Sequence, residues 1–188
     1  MTQKALITKR DVLRTEAVAV SEGAEAASLG FKVEHYLPHG TLVSGDEKKF
    51  AMLEARGYRV KVFPNTNLLQ VGSYQIDIES APPKVPAKLE VPKALEKTWQ
   101  HHLVQLVGPP TEEWKRAIEE QGVDVVEPIS AYGLFVIGSP EAVNKLKSLP
   151  FVAWVGPFKP AYRLHQNLSG LKGKIKYVNI GVYLSLIH

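Results

Sequence analysis

The chain has 188 residues, of which 45% are hydrophobic and 22% charged, with a net charge of +4 and no cysteine. These values are typical of a globular protein with one ordinary domain or two small ones, and they exclude a disulfide framework. No apolar run reaches the roughly 18 residues of a membrane span, and the lysines are scattered, so we expect neither a membrane nor a nucleic-acid partner. The start lacks the apolar core of a signal peptide, so we expect a cytoplasmic protein unless a leader was removed, which would make it extracellular.

Residues 1–66 predict a first unit with the element order βαββαβ. An alanine-rich helix runs from Thr15 to Leu29 and ends at Gly30, and a second helix begins at Asp46 and ends at Gly57. Strands of this unit are predicted at 5–8, 31–34 and 58–63. A further strand, with His39 at its mouth, is predicted where the repeat matches Tyr132 to Ile137.

Residues 67–100 predict a separate connecting segment. Two short strands, 68–71 and 74–78, flank Gly72-Ser73 as in a hairpin. The run Ala81-Pro82-Pro83-Lys84-Val85-Pro86 is typical of a stiff, extended linker.

Residues 101–160 predict a second unit with the same element order. Thr111 is placed to cap one helix, and Ser139, followed by Pro140, is placed to cap the other. The strands are predicted at 102–107, 123–126, 132–137 and 151–155. Right-handed connections then place both helices on one face of a four-stranded antiparallel sheet. The predicted fold class is therefore α+β, with two tandem ferredoxin-like units.

An internal repeat supports the tandem arrangement. The stretch from Gly133 to Pro157 matches the stretch from Gly40 to Pro64 at an offset of 93 residues, with glycine on glycine twice and proline on proline. The strand at 31–34 matches 123–126 at an offset of 92. Residues 161–188 predict a connector followed by a strand at 175–183, which is the possible start of a third unit.

The second sheet has more apolar surface than its helices can cover. In the strand at 132–137 both alternating sets of side chains are apolar, whereas only one face of such a sheet meets helices. An open apolar face is typical of an interaction site, unless the other unit or the linker covers it. The sequence leaves both possibilities open.

The histidines do not predict a catalytic or metal site. His39-Gly40-Thr41 is similar to the histidine motif of subtilisin-like proteases, but the aspartate and serine motifs of a triad are missing. His101 and His102 are adjacent on a strand, so they point to opposite faces and cannot easily share a metal with His165. We expect no catalytic residue, no metal and no cofactor.

Three stretches of the second unit carry a family resemblance. They are the strand at 102–107, the helix start Gly138-Ser139-Pro140-Glu141 and the closing run Leu149-Pro150-Phe151-Val152-Ala153-Trp154-Val155-Gly156-Pro157. Together they resemble the propeptide domain of subtilisin-like serine proteases, and the repeat extends the resemblance to the first unit. The resemblance implies a peptidase inhibitor and intramolecular chaperone, whose partner is a subtilisin-like catalytic domain in cis or in trans.

The resemblance also implies which residues bind the partner. In that family the open sheet face packs on the catalytic domain, and the segment after the last strand lies along the substrate cleft. By position, the candidates on the sheet face are Phe135, Val152 and Trp154. The candidates in the tail are Pro160, Ala161, Tyr162, Arg163 and Leu164. The alternative is a ligand-sensing or self-associating module with no protease partner, its two units packed sheet to sheet.

Overall fold

The computed structural model describes residues 2–63, 66–130 and 132–164. The fold is mixed α+β, with two four-stranded antiparallel sheets and a separate two-stranded hairpin. The first unit consists of β1 (Thr2–Lys9), α1 (Glu16–Ser28), β2 (Lys32–Leu37), β3 (Gly40–Asp46), α2 (Phe50–Ala55) and β4 (Tyr58–Phe63).

The hairpin precedes the second unit. It consists of β5 (Leu68–Val71) and β6 (Tyr74–Asp77). The second unit consists of β7 (His101–Leu106), α3 (Glu112–Glu119), β8 (Val123–Pro128), β9 (Gly133–Gly138), α4 (Pro140–Lys145) and β10 (Val152–Pro157). The predicted strand at 175–183 lies outside the described residues.

Local signals explain where the helices of the second unit begin and end. The hydroxyl of Thr111 accepts a hydrogen bond from the backbone N–H of Trp114, and that of Ser139 accepts one from Ala142. Gly122 ends the turn after α3 with a φ of 81°, a left-handed conformation that glycine adopts without steric cost. The predicted capping residues are confirmed.

The two sheets have the same topology. Their strand orders are β2-β3-β1-β4 and β10-β7-β9-β8, so in each unit the first strand lies between the third and the fourth. The repeat is visible in detail, because the helical residues 47–55 correspond to 140–148 at the offset of 93. Each second strand also carries a bulge, at Glu34 and at Val126, which are 92 residues apart.

Both helices of each unit pack on one face of its sheet. In the first unit Ala26 and Phe50 from the helices meet Ile7 and Val43 from the sheet. In the second, a larger cluster joins α3, α4 and the sheet through the buried side chains Val104, Leu106, Trp114, Ile118, Leu134, Val136, Val143 and Leu146.

The other face of the first sheet packs against the second unit. Phe63 contacts the ring of Tyr132, with centroids 5.2 Å apart, and Leu42 lies beside Gly108. His35 lies edge-on to Trp114, with centroids 5.6 Å apart. The second unit therefore contributes α3 and one end of its sheet. The sheet-to-sheet packing that belonged to the alternative hypothesis does not occur in the described part of the chain.

Candidate interaction surface on the second sheet

The face of the second sheet that points away from α3 and α4 is the candidate interaction surface, here called the open face. Cross-strand pairs define it: Leu103 lies opposite Phe135, and Gln105 lies opposite both Gly133 on β9 and Trp154 on β10. Leu103, Gln105 and Phe135 are buried although no helix covers them. Some other part of the chain must therefore shield this face.

Three segments of the chain shield the open face. The hairpin contributes Leu69, Val71 and Ile76, which form one buried cluster with Leu103. The linker adds Val85 and Leu89, and the residues after β10 add Phe158, Ala161 and Tyr162. We call residues 158–164 the closing segment. The surplus of apolar side chains noted in the sequence is thus covered within the chain, by the hairpin, the linker and the closing segment.

Glycines on the open face make close packing possible. A Cβ on Gly133 would overlap the Cδ1 methyl group of Leu69, and a Cβ on Gly156 would overlap the ring of Trp154. Glycine at these positions therefore lets the hairpin approach the backbone of β9, and lets the indole lie flat along β10.

Aromatic side chains hold the closing segment in place. The ring of Phe158 lies 4.7 Å from that of Phe135, and the ring of Tyr162 lies 5.3 Å from that of Tyr74 on the hairpin. Burial raises the pKa of Tyr162 to about 12, as expected for a phenol removed from water.

Charged contacts add to the packing of the closing segment. Lys159 pairs with Glu90 of the linker at 3.0 Å. The guanidinium of Arg163 lies 5.9 Å from the centre of the Trp99 ring and 5.8 Å from that of Phe158, within the range of a cation–π contact. The linker therefore contacts the closing segment through an ion pair and a cation–π contact as well as through apolar packing.

Two polar groups between the hairpin and the sheet have no partner among the described residues. Gln105 is fully buried, and its Nε2 donates to the carbonyl of Thr66 at 2.9 Å. Its Oε1 accepts no hydrogen bond from the residues that the structure describes, and the hydroxyl of Ser130 forms none with them. Unpaired buried polar atoms weaken packing, so this part of the cover is less stable than a purely apolar contact.

The structure separates the three residues predicted to share the sheet face. Phe135 and Trp154 lie on the open face, whereas Val152 packs against the cluster under the helices. The expectation for Val152 is wrong because a bulge between Val152 and Trp154 places the exposed Ala153 between them. The bulge breaks the strict alternation of a regular strand, which would have placed Val152 and Trp154 on the same face.

The predicted tail residues also separate into two groups. Ala161 and Tyr162 are buried, and Pro160 begins the short 3-10 turn that contains them. Arg163 and Leu164 are exposed. Sequence reasoning missed the shielding role of Leu69, Val71 and Ile76, which are buried with Leu103. The available signal was the alternation of Leu69 and Val71 with Gln70 in the first strand of the predicted hairpin, which indicates one buried face.

The histidines lie as the strand geometry predicts. His101 stacks on Phe135 with centroids 5.9 Å apart, while a ring nitrogen of the buried His102 lies 2.9 Å from the carbonyl oxygen of Trp99. Burial lowers the pKa of both histidines. In the ranges 2–63, 66–130 and 132–164 no three His, Asp or Glu side chains converge on a possible metal position.

A cleft between the units is lined in part by His39. Its lining residues are Leu6, Leu37, Pro38, His39, Pro109, Pro110, Thr111, Glu112, Glu113 and Arg116. The hydroxyl of Thr111 is engaged as the cap of α3, and Glu112 pairs with Lys115 at 2.8 Å. The described lining therefore offers no serine or cysteine nucleophile beside His39.

Part of the chain matches a known protein family. Residues 68–159 match a family described as a domain of unknown function (DUF8729). No curated protein and no solved structure matches the chain. No helix within the described part of the chain is both long and apolar enough to cross a membrane. The matched range joins the hairpin and linker to the second unit, the same segments that pack together on the open face.

Proposed function

We propose that the chain is the non-catalytic, propeptide-like N-terminal region of a subtilisin-like serine protease, built from two ferredoxin-like units. The observation that carries the proposal is the shared strand order, in which the first strand of each βαββαβ unit lies between the third and fourth. This strand order supports the split βαβ arrangement that we propose for each unit. The resemblance of residues 102–157 to protease propeptides adds the expected partner.

The proposed action is binding to the native catalytic domain. A protein that binds the folded enzyme and not the unfolded one stabilises the folded state, by about 2.7 kcal/mol when its concentration is 100 times the dissociation constant. The same complex blocks the substrate cleft if the tail occupies it. One interaction therefore supplies both the chaperone and the inhibitor activity.

The covered open face limits how the partner is contacted. Phe135 is buried beneath Phe158, so the catalytic domain does not reach it while the closing segment is packed. The initial contact is therefore made by exposed surface, which includes Arg163 and Leu164 at the end of the closing segment.

Inhibition and refolding assays test the proposal. The intact chain is added to a subtilisin-like catalytic domain, and both residual peptidase activity and the yield of refolded enzyme are measured. We expect saturable inhibition and a higher refolding yield. A chain that neither binds nor inhibits such domains contradicts the proposal.

A second candidate is a self-contained sensing or self-associating module without a protease partner. It is favoured by the observation that the apolar faces of both sheets are covered within the chain, at Leu42 by the second unit and at Leu103 by the hairpin. Sedimentation and binding of a hydrophobic dye separate the candidates. If the intact chain binds little dye and does not bind a subtilisin-like catalytic domain, the result supports the second candidate.

A further inference from the structure

We propose that the closing segment is an autoinhibitory element, which alternates between its packed position and a released position that binds the partner. This inference rests on the proposed function, because that function assigns residues 160–164 to the substrate cleft. It concerns a different property, namely the equilibrium that controls when those residues are available.

The packed position is incompatible with binding in a cleft. The backbone N–H of Tyr162 donates to the carbonyl of Lys159 at 2.9 Å, and that of Leu164 donates to Ala161 at 3.3 Å, so the segment forms a turn. Ala161 and Tyr162 are buried in this turn. A peptide that binds by strand addition is extended, with alternate side chains available for pockets, and this turn has neither property. The segment must therefore leave the open face before it binds.

The contacts that retain the segment come largely from the hairpin and the linker. Tyr74 contacts Tyr162, and the hairpin turn is so close that a Cβ on Gly72 would lie 2.8 Å from the carbonyl oxygen of Tyr162. Glu90 of the linker pairs with Lys159. Residues that are not themselves in the tail thus determine how often the tail is released.

The unpaired polar atoms of Gln105 and Ser130 lie in the same covered surface. They make the cover less stable than its apolar content alone suggests. The apparent affinity for a partner equals the intrinsic affinity multiplied by the released fraction. Weakening the packed position should therefore tighten inhibition even though no tail residue is changed.

The test uses Tyr74→Ala in the intact chain, because this substitution removes a retaining contact and leaves residues 158–164 unchanged. Two quantities are measured: hydrogen exchange of the Tyr162 and Leu164 amides, and the inhibition constant against a subtilisin-like catalytic domain. One aromatic contact corresponds to about a two- to tenfold change in the released fraction. We expect exchange to accelerate, and the inhibition constant to fall, by that factor.

A second variant and a control protect the test against general unfolding. Glu90→Gln removes the ion pair with Lys159 without an apolar loss, and we expect a smaller change, of about twofold, in the same direction. Tyr36→Ala removes an exposed tyrosine of the first unit and should leave both quantities unchanged.

The possible results separate this inference from the proposed function. Inhibition by the wild type, with exchange and inhibition unchanged in Tyr74→Ala and Glu90→Gln, overturns the autoinhibitory role and leaves the proposed function standing. Faster exchange in the variants, without inhibition by any protein, refutes the proposed function and supports release of the segment. Wild-type amides of Tyr162 and Leu164 that exchange as fast as an unstructured peptide also overturn the inference.

Discussion

The contact between Leu69 of the hairpin and Gly133 of β9 makes a specific prediction about two substitutions. Leu69 is fully buried, and its Cδ1 methyl group occupies the space that a side chain at position 133 would need. Leu69→Ala should leave a cavity, whereas Gly133→Ala should force the methyl group and the hairpin outward. The two substitutions together should partly compensate each other, because the smaller side chain at 69 leaves room for the new methyl group.

The magnitudes follow from the packing. A buried Leu→Ala substitution costs about 2–5 kcal/mol, and an added methyl group in a packed core costs about 1–3 kcal/mol. We expect the double variant to be more stable than the sum of the single effects predicts by about 0.5–3 kcal/mol. In a chain of this length, a loss of 1 kcal/mol lowers Tm by roughly 2–4 °C.

Urea unfolding of the wild type, both single variants and the double variant measures the four free energies of unfolding. Leu13→Ala is the matched control, because Leu13 is 86% exposed and its loss should change the free energy by no more than about 0.5 kcal/mol. Strictly additive effects, or a Gly133→Ala variant as stable as the wild type, would refute the packing of the hairpin on β9.

Three further predictions concern other parts of the molecule. Arg14→Ala should cost about 3–5 kcal/mol in the free energy of unfolding, because it leaves the buried carboxylate of Glu22 without its cation. Lys32→Ala removes the exposed lysine of another ion pair and should cost under about 1 kcal/mol. Equal losses in the two variants would contradict the burial of the Arg14–Glu22 pair. Ser139→Ala should lower the free energy of unfolding by about 1 kcal/mol because it removes the cap of α4, whereas Ser139→Asp should keep the cap. Equal urea midpoints for the two variants would count against a capping role of Ser139. Burial lowers the pKa of His35 below its usual 6.5, so the folded state binds this proton less readily than the unfolded state. The free energy of unfolding should therefore fall as the pH decreases through 6.5. His35→Gln should make that decline shallower, and identical pH profiles of the variant and the wild type in urea unfolding would disprove the contribution of His35.

Most elements of the fold could be predicted from local sequence signals. Thr111 and Ser139 cap the helices as expected, and the 93-residue repeat correctly aligned the second helix of each unit. These features depend on residues close together in the chain, where capping and turn chemistry act directly. The hairpin around Gly72-Ser73 was predictable for the same reason.

The arrangement of the candidate surface was less predictable, because it depends on contacts between distant segments. The surplus apolar character of the second sheet was visible in the sequence. The sequence did not reveal that Leu69 and Tyr162 would cover that sheet. The position of Val152 was missed because a bulge at Ala153 shifts the alternation of side chains along β10. Bulges and side-chain contacts of this kind depend on tertiary packing.

The covering of the second sheet by its own hairpin is tested most directly by nuclear Overhauser effects in the intact chain. We expect a strong effect between a δ-methyl group of Leu69 and the α-protons of Gly133, together with effects between the rings of Tyr74 and Tyr162. Absence of both, with the Leu69 methyl groups at the chemical shifts of an unstructured chain, would show that the face is open and contradict the account.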